Sequence, residues 1–237
     1  AAGRAVYPLP MYVNAALLRP GKRPGEYPSG GPLPHLFDVW RAAAPAVDFL
    51  APDIYFPNFT EWGEKYALPG EPFFIPETGR VSGAQMGANG LHAYAQWNAV
   101  GYSPYAPEFL SPDDAGAVGQ AYDVVEQLTP LILANQGSGK MVGMLPRTHF
   151  DGSVDLEPQS FVFGDYKVVA SFRKPGSASI GAKVDADAST THGGLIIQVG
   201  PNDFWFAGTG ITVYFEPSGK GRSAVGIESI WEGRFID

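Results

Sequence analysis

A carboxylate at the end of an apolar run is the clearest candidate for chemistry in this sequence. Glu77 follows the run Phe73–Ile75, with one proline between them. Burial and neighbouring hydrogen-bond donors at such a position set the pKa of a carboxylate, which suits it to nucleophilic or acid–base work. The same pattern is equally compatible with a Glu77 that caps the following loop or pairs with Arg80.

Other polar side chains stand where further apolar runs end. Tyr55 is placed to donate its hydroxyl to the Glu77 carboxylate and to keep that carboxylate ionised; the alternative is a packing aromatic at the sheet edge. Asn14 is placed to bind a ligand hydroxyl or the same carboxylate, although asparagine also forms turns at strand ends. Asp53 and Tyr105 complete the set of candidate binding residues.

The sequence disfavours several other kinds of site. The histidines lie far apart, with no two spaced to share a helix face or a strand, which argues against a metal site; they are His35, His92, His149 and His192. The segment Gly137–Met141 ends like a phosphate loop but lacks its first glycine and its hydroxyl residue. Gly101–Tyr105 is one glycine short of a hydrolase nucleophile elbow. We therefore expect no metal, no cofactor and no serine nucleophile.

Strands that alternate with helices between residues 11 and 128 must position the candidate side chains. Apolar runs predict four strands, over Met11–Asn14, Phe49–Phe56, Phe73–Ile75 and Val100–Tyr105. Helical spacing and capping signals predict helices over Leu33–Val47, after Asn58, over Gly90–Asn98, and from an N-cap at Ser111. Such alternation is typical of a parallel sheet in an α/β fold. A complete (β/α)8 TIM barrel has eight strands, so four βα units predict half of one.

The pattern changes after about residue 135 to the period of two that is typical of antiparallel strands. Such runs are Tyr166–Phe172, Leu195–Val199, Phe204–Ala207 and Ile211–Phe215, and Val225–Ile236 predicts one or two more strands. Gly200–Asp203 is typical of a hairpin turn between two of the runs. We therefore expect two domains, a half-barrel over residues 1–135 and a small β-sandwich over residues 136–237, joined near Gln136–Gly139.

Composition excludes several classes of partner. The chain has 237 residues, a net charge of −8 and no cysteine. The negative charge argues against nucleic acid and anionic membranes, which attract clustered lysine and arginine. The sequence contains no apolar run of about 18 residues, the length that a membrane-spanning helix needs. The sequence starts without an initiator methionine or a signal peptide, so we expect a piece cut from a longer chain, with a periplasmic or secreted location favoured.

Several segments taken in order resemble glycoside hydrolase family 35, the β-galactosidase family, in its bacterial branch where a β domain follows the barrel. The segment Asp48–Phe59 carries the most specific part of the resemblance. The other similar segments are Val13–Leu17, Pro28–His35, Phe74–Glu77, Gly194–Pro201 and Glu232–Phe235. The resemblance covers almost the whole chain and places its start just before the fifth barrel strand.

The resemblance implies a retaining mechanism on terminal β-galactosides. Glu77, at the end of the seventh barrel strand, would attack the anomeric carbon and form a glycosyl-enzyme. Tyr55 would end the sixth strand and hydrogen-bond this nucleophile. Asn14 would end the fifth strand and face the sugar. Asp53 and Tyr105 are added as substrate-binding candidates from their positions at strand ends.

One part of the family pattern is absent. The acid/base glutamate of the family follows an asparagine, and no Asn-Glu dipeptide occurs in these 237 residues. We therefore expect that the first four βα units are missing, that the N-terminal half-barrel is a partner, and that the chain is inactive alone. The alternative is a non-catalytic carbohydrate-binding or structural segment in which Glu77 has no catalytic role.

Overall fold

The computed structural model describes residues 2–172, 191–219 and 224–234, and its N-terminal part is built on a parallel sheet of four strands. The strands lie in chain order, each paired in parallel with the next: β1 Tyr12–Ala16, β2 Phe49–Ile54, β3 Phe74–Thr78 and β4 Gly101–Pro104. The predicted α/β arrangement of four strands in a parallel sheet is confirmed.

Among the described residues, five α-helices accompany the sheet: α1 Ala2–Val6, α2 Phe37–Ala43, α3 Phe59–Tyr66, α4 Gly83–Gln96 and α5 Pro112–Asn135. One face of the sheet packs against α3 and α4, since Ile54 and Ile75 share a core cluster with Trp62 of α3 and Ala88 of α4. The predicted N-cap of α5 is confirmed, because the Ser111 hydroxyl oxygen accepts a hydrogen bond from the Asp114 backbone N–H. No described helix is long and apolar enough to cross a membrane.

The opposite face of the sheet carries aromatic side chains that stay partly accessible to solvent. We call Tyr12, Phe49 and Phe74 the open-face aromatics. The Tyr12 ring stacks on Phe49 at 5.7 Å and meets Phe74 edge-on at 5.0 Å between ring centroids. Tyr12 is 44% exposed. Because side chains alternate between the faces of a strand, these rings point away from the helix-packed residues Ala15 and Ile75.

Within the described residues, the C-terminal part contains eight strands, each paired antiparallel with a neighbour. They are β5 Met141–Met144, β6 Arg147–Thr148, β7 Val154–Asp155, β8 Gln159–Phe163, β9 Tyr166–Ser171, β10 Gly193–Gln198, β11 Phe204–Thr209 and β12 Thr212–Pro217. They form two three-stranded sheets, β11-β10-β5 and β12-β9-β8, and the pair β6-β7. The predicted hairpin at Gly200–Asp203 joins β10 to β11. Met144 and Ile196 of one three-stranded sheet share a core cluster with Val168 and Ala170 of the other.

Helix α4 links the two parts of the chain. Its Leu91 and Ala95 share a core cluster with Met141 of β5 and with Leu195 and Ile197 of β10. His92 is buried in the same region against the backbone of β5, and this burial lowers the pKa of its imidazole to about 3. A neutral imidazole with such a low pKa packs as a core residue at ordinary pH.

The start of α4 was predicted wrongly. The sequence indicated a helix from Gly90, but the helix begins at Gly83, where the Ser82 hydroxyl oxygen caps it by accepting from the Gln85 N–H. Glycine disfavours helix, so Gly83 and Gly87 obscured the first turns. Both lie against α5: a Cβ at Gly87 would come within 2.7 Å of the Ala121 Cβ, and one at Gly83 would meet the backbone of Asp114.

The strands predicted over Val225–Ile236 are absent from the residues that the structure describes there. Residues 224–234 contain no regular secondary structure, and residues 235 and 236 lie outside the described residues. Ile227, Ile230 and Trp231 are all more than half exposed. A segment with a strand-like pattern forms a strand only when a neighbouring strand supplies backbone hydrogen-bond partners. Residues 224–234 have no such neighbouring strand among the described residues.

Candidate functional site

The carboxyl ends of the first three strands bring the predicted site residues together. In the parallel ladders Ala16 of β1 lies opposite Asp53 of β2, and Asp53 lies opposite Glu77 of β3. Neighbouring strands are about 4.8 Å apart, so these residues share one edge of the sheet. Parallel α/β enzymes place their catalytic side chains at this edge. We call Asn14, Asp53, Tyr55, Glu77 and Tyr105 the strand-end site.

A hydrogen bond joins Tyr55 to Glu77. The Tyr55 hydroxyl donates to Glu77 Oε2 across 2.8 Å, and both side chains are half-buried. Burial, followed by the neighbouring Glu77 carboxylate, raises the pKa of the Tyr55 hydroxyl. Tyr55 therefore keeps its proton at any ordinary pH and remains a donor. A fixed donor holds one carboxylate oxygen of Glu77 in place.

The predicted alternative of a Glu77–Arg80 ion pair is not formed among the described residues. Arg80 instead places its guanidinium carbon 6.0 Å from the centre of the Tyr55 ring. Its backbone has a φ of 62°, a left-handed conformation that non-glycine residues adopt at some cost. Arg80 therefore contacts the donor of the pair, while its side chain remains exposed.

Tyr105 forms an aromatic wall beside the pair. Its ring meets the Tyr55 ring edge-on at 5.9 Å between centroids, and 56% of the residue is exposed. Its backbone N–H donates to the carbonyl oxygen of Thr78, which fixes the loop after β4 beside the end of β3. An exposed, positioned aromatic at the mouth of a site can stack on a ligand ring.

Asn14 and Asp53 form a second hydrogen-bonded pair. Asn14 Nδ2 donates to Asp53 Oδ2 across 2.8 Å. Burial raises the pKa of the Asp53 carboxyl to about 6; the Glu77 charge acts in the same direction and the Asn14 hydrogen bond opposes it. Asp53 Oδ1 is buried without a hydrogen-bond partner among the described residues. One N–H of the Asn14 side-chain amide donates to Asp53, which leaves the second N–H and the side-chain carbonyl oxygen able to bind a ligand.

Two glycines make room for these pairs, and sequence reasoning did not assign them a role. A Cβ at Gly79 would lie 3.1 Å from the Tyr55 ring, and one at Gly31 would lie 2.2 Å from the backbone carbonyl oxygen of Asn14. Gly31 also has a φ of 88°, which other residues rarely adopt. Gly79 lies two residues after Glu77, so its position in the sequence could have linked it to the site. The contact of Gly31 with β1 is visible only in the fold.

The described residues supply no cluster of three or more histidine, aspartate or glutamate side chains that could hold a metal ion. The chemistry that the site can perform with its own groups is that of a half-buried carboxylate held by a neutral phenol. Such a carboxylate can act as a nucleophile towards an electrophilic carbon. A second carboxyl group, Asp53, lies directly beside it in the ladder.

Comparison with known families gives one match. A family model described as "Domain of unknown function (DUF5597)" matches residues 118–237, which covers most of α5 and the whole antiparallel part. All residues of the strand-end site precede the matched region. A comparison with curated proteins finds no match.

Proposed function

The chain belongs to the family described as a domain of unknown function (DUF5597), and from its strand-end site we propose that it is the nucleophile-bearing half of a retaining glycoside hydrolase acting on terminal β-galactosides. The observation that carries this proposal is the 2.8 Å hydrogen bond from the Tyr55 hydroxyl to Glu77 Oε2 at the carboxyl edge of a parallel sheet. The resemblance to family 35 supports the choice of reaction and of sugar.

In the proposed reaction Glu77 attacks the anomeric carbon of the galactoside. A bond forms between a Glu77 carboxylate oxygen and that carbon, while the bond to the leaving oxygen breaks. The leaving oxygen takes a proton from a second carboxylic acid, which then activates a water molecule that releases the sugar. Tyr55 holds Glu77 in the attacking orientation. Asn14 accepts a hydrogen bond from a sugar hydroxyl, and Tyr105 stacks on the ring.

We assign Asp53 to positioning and not to proton transfer. Asp53 is 9% exposed, and its Oδ2 is engaged by Asn14. Its raised pKa would suit a general acid, but a proton donor must reach the leaving oxygen directly or through one water. A carboxyl group this deeply buried serves instead to orient the Asn14 amide. The acid/base carboxylate is proposed to belong to the missing half of the barrel.

The same proposal describes the sheet as the second half of a TIM barrel. Parallel sheets are normally covered on both faces, and the open-face aromatics lie on the face that a closed barrel turns inward. Four more βα units would cover this face and supply the acid/base residue. The shared cluster of the two three-stranded sheets supports a β-sandwich as the accessory unit.

A complementation assay tests the proposal. The chain is combined with the N-terminal four βα units of a family 35 β-galactosidase, and hydrolysis of a nitrophenyl β-galactoside is measured. We expect turnover with the wild-type chain and a loss of at least about 10³-fold with Glu77→Gln, as removal of a nucleophile produces. Asp38→Asn, at a fully exposed carboxylate, is the matched control that retains turnover.

A non-catalytic carbohydrate-binding segment is the second candidate. The observation in its favour is that the family match covers residues 118–237 and leaves out the strand-end site. This candidate predicts saccharide binding that Glu77→Gln leaves unchanged and no turnover in any combination.

A further inference from the structure

A pocket lies at the junction of the parallel and antiparallel parts, outside the strand-end site. Its volume is about 110 Å³. The floor is buried and the rim half-buried, so the pocket is open to solvent at one side. The floor consists of Phe59, Thr60, Asn89, Leu145 and Pro146, and the rim of Pro57, Val81, Gln85, Thr148 and Val154. We call this the junction pocket.

The described residues of the pocket wall include no charged residue and mix polar with apolar groups. Its polar members are two threonines and two amides, Thr60, Thr148, Gln85 and Asn89. The Gln85 amide donates to Asn89 Oδ1 across 2.9 Å, which fixes both amides one turn apart on α4. Hydroxyls and amides both donate and accept, so they match the hydroxyl groups of a neutral ligand. Apolar side chains between them suit the C–H faces of such a ligand.

One polar group in the wall has no hydrogen-bond partner among the described residues. The Thr60 hydroxyl is buried and unpartnered, and Thr60 is only 8% exposed. Buried polar groups are normally satisfied, so this hydroxyl has unused hydrogen-bonding capacity that it can offer to a ligand after turning towards the pocket. In a helix threonine adopts two χ1 rotamers, which allows its hydroxyl to turn towards an arriving group.

The size and place of the pocket fit part of one sugar ring. At about 110 Å³ the junction pocket is smaller than the cavity of about 150 Å³ that holds benzene, so it takes up part of one six-membered ring while the rest of the ring lies at the open rim. Pro57 follows Tyr55 by two residues and Val81 follows Glu77 by four. At 3.8 Å per residue their Cα atoms lie within about 8 Å and about 15 Å of those two site residues. A short saccharide spans such distances.

We propose that the junction pocket binds a neutral sugar unit of the same saccharide whose terminal β-galactoside occupies the strand-end site. This inference rests on the proposed function, which assigns the strand-end site to the terminal β-galactoside. It makes the substrate an oligosaccharide and gives the antiparallel part a direct role in binding, because Leu145, Thr148 and Val154 come from that part.

Methyl NMR of the Glu77→Gln chain tests the proposal, because the pocket carries its own reporters. The methyl groups of Thr60, Val81, Leu145, Thr148 and Val154 line the pocket, and the Ala16 methyl reports on the strand-end site. Lactose and methyl β-galactoside are titrated separately. We expect lactose to shift the pocket methyls and the Ala16 methyl, and methyl β-galactoside to shift the Ala16 methyl alone.

Two variants sharpen the test. Thr60→Val removes the hydroxyl at constant shape and is expected to weaken lactose binding by about fivefold to tenfold, the loss of one hydrogen bond. Thr148→Val makes the same change at the half-buried rim, where folding is not at risk. Thr129→Val, on the exposed side of α5, is the matched control and is expected to leave binding unchanged.

The inference would be overturned if lactose did not shift the NMR signals of the pocket methyls, or if glycerol shifted them equally. If the Ala16 methyl still responds to both sugars, the proposed function survives while this inference fails. Failure of the proposed function is detected separately, by the absence of turnover in the complementation assay.

Discussion

The phenol of Tyr55 acts on Glu77 through one hydrogen bond, and this bond defines the site at the scale of single residues. Because burial keeps Tyr55 protonated, its hydroxyl remains a neutral hydrogen-bond donor at every working pH. The sequence was sufficient to predict this pair, since each residue ends an apolar run. It was insufficient for the Asn14–Asp53 pair, because the local pattern does not show which neighbouring carboxylate Asn14 meets: Glu77 was expected, and Asp53 is observed.

Tyr55→Phe tests the role of the phenol. The ring contact with Tyr105 is retained and one hydrogen bond is lost, so we expect turnover in the complemented protein to fall by about 10²-fold or more with little change in thermal stability. Tyr122→Phe is the control, because its hydroxyl also donates one hydrogen bond, to the Tyr102 carbonyl oxygen, away from the site. Equal turnover in the two variants would make Tyr55 a packing residue.

The Asp53→Asn variant tests whether burial favours the protonated form of the Asp53 carboxyl group, by comparing stability at different pH values. The folded pKa of Asp53 is about 6, above its ordinary value of 3.8, so the folded state favours the protonated form. Wild-type stability should therefore fall as pH rises from about 4 through 6, and the neutral amide should not share this loss. We expect the Tm of Asp53→Asn to rise relative to the Tm of the wild type as pH increases over this range.

Thermal unfolding at several pH values between 4 and 8 measures that difference. Asp38→Asn, at a fully exposed position, is the control. A Tm difference for Asp53→Asn that stays constant with pH would show that burial does not set the protonation of Asp53.

At the scale of elements, α4 is the part that sequence reasoning described least well and that the fold uses most. It contacts the parallel sheet, α5 and the strands β5 and β10. Its glycines lower helix propensity, which hid its first turns, yet they allow α5 to approach closely. Close helix contact is a tertiary property, so the same residues that predict a loop locally produce a helix in the fold.

Gly87→Ala tests this packing. Alanine normally stabilises a helix interior over glycine, but here its Cβ would lie 2.7 Å from the Ala121 Cβ. We expect the free energy of unfolding to fall by about 1–3 kcal/mol, the usual result of overpacking. Gly119→Ala in α5 is the control, because nothing lies within 4 Å of its Cβ position and a gain of up to about 1 kcal/mol is expected. Urea denaturation measures both, and a Gly87→Ala variant as stable as its control would contradict the packing argument.

At the scale of the whole molecule, the sequence predicted the order of elements better than their contacts. The four parallel strands follow from apolar runs, and four of the eight described antiparallel strands, β9 to β12, follow from period-two runs. The packing of β5 and β10 on α4, in contrast, joins residues distant in the chain. The strands expected over Val225–Ile236 show the same limit, because residues 224–234 have a strand-like pattern without a described neighbour. Periodicity predicts which residues can pair, and the fold decides whether a partner is present.

The open face leads to a prediction about association. Partly exposed aromatics on a parallel sheet attract apolar surface, so we expect the isolated chain to self-associate. Tyr12→Lys should shift it towards monomer in light scattering after size exclusion. Phe109→Lys, at a residue that is 84% exposed and outside the sheet, should leave association unchanged. A monomeric wild-type chain at high concentration would contradict the need for a covering partner.

Covalent labelling identifies the nucleophile of the complemented protein. The chain combined with a complementary half-barrel is incubated with a 2-deoxy-2-fluoro-β-galactoside bearing a good leaving group, and the intact mass and labelled peptide are determined. We expect one fluorosugar per chain, attached to the carboxylate of Glu77, with no adduct on the Glu77→Gln variant. An adduct on any other residue, or an unlabelled chain in a combination that hydrolyses galactosides, would contradict the assignment of Glu77 as the nucleophile.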